Sequence, residues 1–182
     1  MTETVIDLIR HGEPAGGRRY RGHNIDDPLT EKGWSQMWNA VGEYAAWQQI
    51  ITSPLQRCQR FAHELGERHG INVIVEPRFK EVGFGAWEGL GHDEVKIDRT
   101  DEYHAFLKDP VNQRPHDAEP LDDFIQRVGL AYEETCDACG YCKNSACLSV
   151  RSVSNQNQQW RNHADSPCRN RWRAGIAEWE IV

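Results

Sequence analysis

The sequence predicts an α/β fold of three layers, with helices on both faces of a mostly parallel central sheet. Three observations carry this. Short runs rich in Val, Ile and Leu alternate with longer segments that read as helices, and that alternation implies parallel strands covered on both sides. Gly, Pro, Asp and Asn cluster between the runs as turn formers. Arg10-His11 and the segment from Ser53 both fall at carboxyl ends of predicted strands, where such sheets bind their ligands.

The elements follow in order. Thr4 to Arg10 reads as a buried strand, and the loop after it carries Gly16, Gly17, Gly22, Asp26, Asp27 and Pro28. Thr30 is a helix cap, and Lys32 to Trp47 reads as the helix it starts. Gln49 to Thr52 is a short strand. Ser53 as cap and Pro54 at the first helical position open a second helix that Gly70 ends. Asn72 to Glu76 is a strand, Phe79 to Leu90 a glycine- and aromatic-rich loop, and Asp93 to Leu107 and Leu121 to Glu134 are helices.

The chain has 182 residues, 27% of them charged and 38% hydrophobic, which suits one domain. No apolar run has the length of a membrane span. The acidic start runs straight into a strand, so no signal peptide is read and a cytoplasmic protein is expected. A formal net charge of −7 argues against nucleic acid as a partner, because a phosphate backbone demands a basic face. A small anion needs only a local group of cations, and Arg10, Arg18, Arg19 and Arg21 supply one as a patch on the approach to the strand end.

The chemistry concentrates in Leu8-Ile9-Arg10-His11-Gly12-Glu13. A neutral imidazole can attack phosphorus and hold the phosphoryl group covalently. An adjacent guanidinium can grip two phosphate oxygens, and Gly12 lets backbone come close to the anion. Alone, Arg-His-Gly is a weak signal. It is followed by Asp27-Pro28-Leu29-Thr30-Glu31-Lys32-Gly33, by Thr52-Ser53-Pro54-Leu55-Gln56-Arg57, and by Glu81-Val82-Gly83-Phe84-Gly85-Ala86-Trp87-Glu88-Gly89.

In that order and spacing, residues 4 to 134 resemble the histidine phosphatase superfamily, also called the phosphoglycerate-mutase-like fold. The resemblance implies that His11 is the phosphorylated nucleophile and that Arg10 and Arg57 hold the phosphate. It implies that Glu81 is the acid that protonates the leaving oxygen, and that no metal or other cofactor is needed. The expected partner is a small phosphorylated substrate. Glu88 is a rival to Glu81, His23 sits where family members place loop groups near substrate, and Phe84 and Trp87 read as packing residues. Within the family, Gly12-Glu13-Pro14 and the short loop to Asp26-Asp27-Pro28-Leu29 look most like alpha-ribazole phosphatases, which act late in cobalamin assembly. Mutases of the family carry Trp-Asn shortly after the histidine, where this chain has Pro14-Ala15-Gly16-Gly17.

The chain divides near Cys136. Residues 1–135 hold 15 Lys/Arg and 24 Asp/Glu, whereas residues 136–182 hold 6 and 4. Five of the six cysteines and 13 Asn, Gln or Ser lie in that last part, with Leu148 to Val153 as its one candidate strand. The family places a second histidine there, on a hydrophobic strand ending in a His-Gly-Gly-type turn; the resemblance therefore implies a fold incomplete or aberrant at this end. Two accounts remain open. One is a reading frame shifted from about Cys136, leaving a poorly ordered tail; encoding DNA without an open frame resembling the family would sink it. The other is a diverged tail, whose Cys136, Cys139, Cys142 and Cys147 match no zinc or ferredoxin spacing. Three functions are compatible with these residues: a phosphomonoesterase, a phosphoglycerate-mutase-type phosphoryl transferase, or an inactive or damaged member that binds phosphate without turnover.

Overall fold

The computed structural model describes residues 4–138, 148–153 and 161–163. Five strands and five helices run in the order β1 (Thr4–Ile9), α1 (Glu31–Val41), β2 (Gln49–Thr52), α2 (Gln56–His69), β3 (Asn72–Val75), α3 (His92–Asp98), α4 (Thr100–Lys108), α5 (Leu121–Ala138), β4 (Leu148–Val153) and β5 (Arg161–His163). Two short 3₁₀ turns, Pro77–Phe79 and Gly85–Trp87, lie inside the loop between β3 and α3. β2 and β3 pair in parallel, Gln49 opposite Asn72. β1 pairs in parallel with β4, Thr4 opposite Leu148 and Ile9 opposite Val153, and β5 adds antiparallel to β4. The α/β class with parallel pairing is the predicted one.

The one candidate strand read after Cys136, Leu148 to Val153, forms as β4. Leu148, Val150 and Val153 give β4 an apolar set with small and polar residues between, and a parallel ladder supplies the hydrogen bonds that β1 needs along that edge. Cys139, Cys142 and Cys147 lie outside the described residues, as does most of the stretch that the frame-shift and poor-order readings concern. β1 is not the buried strand its composition suggests: Leu8 is 51% exposed, and Val5 and Ile9 are also exposed.

Helix boundaries moved for local reasons. Thr30 caps α1 as predicted, its hydroxyl accepting from Gly33 N–H at 2.9 Å. The helix stops at Val41 because Gly42 takes a positive φ of 57°, so Trp47 lies outside it and donates its indole N–H to Asp7 Oδ2 at 2.8 Å. α2 starts two residues later than Ser53-Pro54 implied. Its first amide, Gln56 N–H, is capped from the loop by Asp26 Oδ1 at 2.6 Å, while Ser53 Oγ accepts from Leu55 N–H at 3.3 Å. Gly70 ends α2 in the left-handed conformation, as predicted. The helix expected over Asp93–Leu107 is two, because Arg99 at φ −131° breaks the path between α3 and α4.

Two apolar clusters hold these elements. Leu29, Met37, Val41, Phe61 and Leu65 join α1 to α2, with Trp34, Trp38, Trp47 and Ile50 packed against them. Tyr20, Trp87, Val95 and Phe106 join the loop after β1 to α3 and α4, with Phe84, Leu90 and Tyr103 against them. Trp87 is fully buried and Phe84 packs on its cluster, which is the packing role read from the sequence. Burying such aromatic faces is worth roughly 1.5–3 kcal/mol each. The second cluster anchors both loops that border the site.

Candidate active site

His11 is the first candidate residue to be fixed. The turn after β1 lies on the N-terminus of α1: Thr30 N–H and hydroxyl both donate to Glu13 O, at 3.0 and 3.1 Å, and Gln36 Oε1 accepts from Glu13 N–H at 2.8 Å. Gly12 and Gly33 meet there backbone to backbone, and a Cβ on Gly12 would overlap the Gly33 carbonyl. The motif glycine thus serves the approach of α1, a tighter constraint than the closeness to an anion inferred from sequence.

The imidazole orientation follows from one bond. His11 Nδ1 lies 2.7 Å from Gly12 O. A carbonyl oxygen can only accept, so Nδ1 carries the proton and Nε2 keeps its lone pair. Desolvation by burial pushes the His11 pKa down to about 4; the Gly12 bond opposes this, and the charges of Arg57, Arg10 and Arg21 reinforce it. The ring is neutral near neutral pH, the form a nucleophile needs. This has a thermodynamic consequence. Below the unfolded value near 6.5, the unfolded chain binds a proton that the folded chain refuses until about pH 4. Stability therefore falls as pH drops from about 6.5 to about 4. His11→Asn should flatten that part of the melting-temperature profile, measured by calorimetry against the wild type. An unchanged slope would refute the depressed value.

Arg57 sits on the first turn of α2 with 2% of its surface exposed. Its Nη1 donates to Ile25 O and its Nη2 to Gly22 O, each at 3.1 Å. No carboxylate among the described residues forms an ion pair with it. A buried cation without an ion-pair partner is costly. Arg10 is exposed at the end of β1, close enough for its charge to act on His11.

The patch of arginines read from sequence is corrected. Arg19 and Arg21 both spend their charge on Asp27, at 2.7 and 2.9 Å, and Arg21 also donates to the carbonyls of Ala15, Gly17 and Arg19. They brace the loop; Arg18 remains exposed. Cys58, next to Arg57, is no competitor to His11, because desolvation pushes its thiol up to about 11.

Glu81 lies between the two 3₁₀ turns, exposed, with Oε1 accepting from Val82 N–H at 2.9 Å. Its rival Glu88 is occupied: Oε1 accepts from Phe84 N–H at 2.9 Å and Oε2 from Asn24 N–H at 3.2 Å. Gly22 is required beside it, since its φ is 54° and a Cβ would overlap the Glu88 carboxylate. His23 ties the same loop to Glu81, its Nδ1 donating to Glu81 O at 3.2 Å. The loop of residues 22–25 thus bonds both Arg57 and the Glu81 main chain. Arg127 and Glu119, missed in the sequence, complete that attachment: Arg127 donates to Glu81 O at 3.0 Å and pairs with Glu119 at 2.6 Å. Only the folded chain brings residues some 46 apart together. Among the described residues, no group of three His, Cys, Asp or Glu is placed to hold a metal ion, and no helix is long and apolar enough to cross a membrane.

Residues 6–143 match the profile of the histidine phosphatase superfamily, branch 1. The chain belongs to this superfamily. Among curated relatives, the bifunctional protein Rv2228c of Mycobacterium tuberculosis strain H37Rv is 34% identical over 132 residues, 70% of this chain and 36% of that protein. The probable phosphoglycerate mutase GpmB of Cronobacter sakazakii is 32% identical over 138 residues, 74% of this chain and 62% of its own. Glucosyl-3-phosphoglycerate phosphatase of M. tuberculosis strain CDC 1551 is 32% identical over 131 residues, 70% of this chain and 58% of its own. The chain thus spans roughly a third to three-fifths of these relatives' lengths. Among solved structures, Bacillus stearothermophilus YhfR superposes with a TM-score of 0.66 at 25% identity, over 83% of this chain and 74% of that one. An Escherichia coli K-12 protein described as a putative alpha-ribazole-5'-P phosphatase gives 0.63 at 25%, over 80% and 70%.

Proposed function

We propose that the chain is a phosphomonoesterase that hydrolyses a small phosphate ester through a phosphohistidine at His11. The observation that carries this is the imidazole itself: neutral, with Nδ1–H fixed on Gly12 O, beside a buried guanidinium that has no ion-pair partner among the described residues. Arg10 and Arg57 take the phosphoryl oxygens and offset the charge that builds on them. His11 Nε2 attacks phosphorus as the ester P–O bond breaks. The Glu81 carboxyl delivers a proton to the leaving oxygen, releasing the alcohol. The resulting carboxylate then takes a proton from water, whose oxygen attacks the phosphoryl group. The P–N bond breaks, inorganic phosphate leaves, and Nε2 regains its lone pair.

Alpha-ribazole phosphate is the substrate favoured here, with the enzyme placed in the cytoplasm and in cobalamin assembly. Its support is the Gly12-Glu13-Pro14 turn with the short following loop, together with the similarity to the alpha-ribazole phosphatase fold. A mutase is disfavoured by Pro14-Ala15-Gly16-Gly17 in place of Trp-Asn. One observation favours a different reading, a member that binds phosphate without turnover: no His-Gly-Gly sequence follows β4. Phosphate release from 4-nitrophenyl phosphate in the presence of a chelator separates these. Catalytic release, with a base-stable phosphoenzyme caught on rapid quenching, supports the phosphatase. Phosphate binding in calorimetry with no release supports the silent member.

A further inference from the structure

The Glu81 carboxyl stands on a segment with little secondary structure of its own. Between Pro77–Phe79 and Gly85–Trp87 the main chain makes no sheet ladder, so its carbonyls need partners from elsewhere. One guanidinium serves three of them. Arg127 on α5, 17% exposed, donates from Nη1 to Arg78 O and, at 2.9 Å, to Lys80 O, and from Nη2 to Glu81 O at 3.0 Å. Its Nε and Nη2 grip the two oxygens of Glu119 at 2.6 and 2.8 Å, and its Cζ lies 4.9 Å from the Phe124 ring centre.

Glu119 extends the clamp past the carboxyl. Its Oε2 accepts from Gly83 N–H at 3.1 Å, and Glu119 N–H donates to Gly83 O, also at 3.1 Å. Arg114 Nη2 reaches the same Gly83 O at 2.8 Å. On the other side, Arg78 bonds Glu134 of α5 at 2.7 Å. The main chain from 78 to 83 is therefore held at both ends and in the middle, while Glu81 Oε2 has no hydrogen-bond partner among the described residues.

We propose that Arg127, locked by Glu119, is a positioning residue that holds the Glu81 carboxyl where it delivers its proton to the leaving oxygen. This rests on the reading of Glu81 as the general acid. An acid displaced by about 1 Å can lose about a hundredfold in rate, whereas a residue that merely fastens α5 to the body would alter every substrate alike.

Leaving groups tell the two apart. An alkyl phosphate needs its leaving oxygen protonated; 2,4-dinitrophenyl phosphate does not. The quantity to measure is the ratio of kcat/KM for phenethyl phosphate to that for 2,4-dinitrophenyl phosphate. It is compared in wild type, Glu81→Gln, Arg127→Gln, Arg127→Lys and Glu119→Gln, each checked for folding by circular dichroism. Arg127→Gln should lower the ratio about 10- to 100-fold, in the same direction as Glu81→Gln. Arg127→Lys should restore part of it, and Glu119→Gln should lower it less than Arg127→Gln. If Arg127→Gln does not fold, the Arg127→Lys and Glu119→Gln ratios decide. A ratio lowered by Glu81→Gln but untouched by the Arg127 and Glu119 variants overturns the positioning role alone. A ratio that Glu81→Gln also leaves untouched overturns the general-acid reading, and the positioning role with it.

Discussion

His11→Ala is expected to abolish phosphate release, by on the order of 10⁴- to 10⁶-fold on 4-nitrophenyl phosphate, the range seen when a covalent nucleophile is deleted. The loss should be in kcat, because Arg10 and Arg57 remain to bind the anion. Inorganic phosphate should therefore still bind the variant within about tenfold of wild type, a change of about 1.4 kcal/mol. No phosphoenzyme should form. The substitution is tolerable structurally: the half-buried ring makes its hydrogen bond to the adjacent Gly12 carbonyl, and the turn is held by the Glu13 main chain bonded to Thr30 and Gln36. The variant should fold with a circular dichroism spectrum like the wild type. Residual release above about a hundredth of wild type, with the same pH profile, would show that another group is the nucleophile.

Much of this was legible in the sequence, for local reasons. The Thr30 cap, the strand Gln49–Thr52 and the Gly70 stop each rest on a residue whose own conformational preference decides the boundary, and each was found. The candidate site could be read as a group where neighbours in sequence are neighbours in space, as with Arg10, His11 and Gly12. What failed was tertiary. Asp26 caps α2 from 30 residues away, displacing the Ser53-Pro54 start. Trp47 leaves its helical pattern to reach Asp7 across 40 residues. Arg19 and Arg21 read as free cations until the fold turned Asp27 onto them. Glu81 and Glu88 were indistinguishable as letters. Two amides from different loops, Phe84 and Asn24, occupy Glu88, and nothing in their spacing announces that.

The loops around the site share one design. Arg21, Arg57, Arg114 and Arg127 each donate to backbone carbonyls of irregular segments: 15–19, 22–25, 83 and 78–81. Loops without ladders need such donors, and guanidinium, with five N–H groups in a plane, can serve several carbonyls at once. The difference among the four is the counter-charge. Arg21 has Asp27 and Arg127 has Glu119; Arg57 and Arg114 form no ion pair among the described residues, and of those two it is Arg57 whose charge acts on His11.

That difference makes Arg57 the second large prediction. Arg57→Met keeps the length and apolar bulk of the side chain while removing its charge and donors. Two carbonyls, Gly22 O and Ile25 O, lose their partners, at about 1–3 kcal/mol for a buried group left unsatisfied. The melting temperature should fall, by about 4–8 °C per kcal/mol for a domain near 100 residues and less for a larger one. Phosphoryl transfer should fall further, by about 10²- to 10³-fold, the usual cost of deleting one preorganised charge stabiliser. Unlike His11→Ala, this variant should also lose affinity for inorganic phosphate. Arg57→Lys keeps the charge but cannot span both carbonyls, so binding should recover more than stability does. The same substitution reports on the nucleophile. Burial is the main cause of the low His11 pKa and stays, but Arg57 is the first of the charges that add to it. In Arg57→Met, the His11 pKa followed by imidazole NMR should therefore rise from about 4 toward its ordinary value. A variant that loses stability, but neither phosphate affinity nor the depressed pKa, would make Arg57 a structural brace like Arg21 and remove it from the phosphate site.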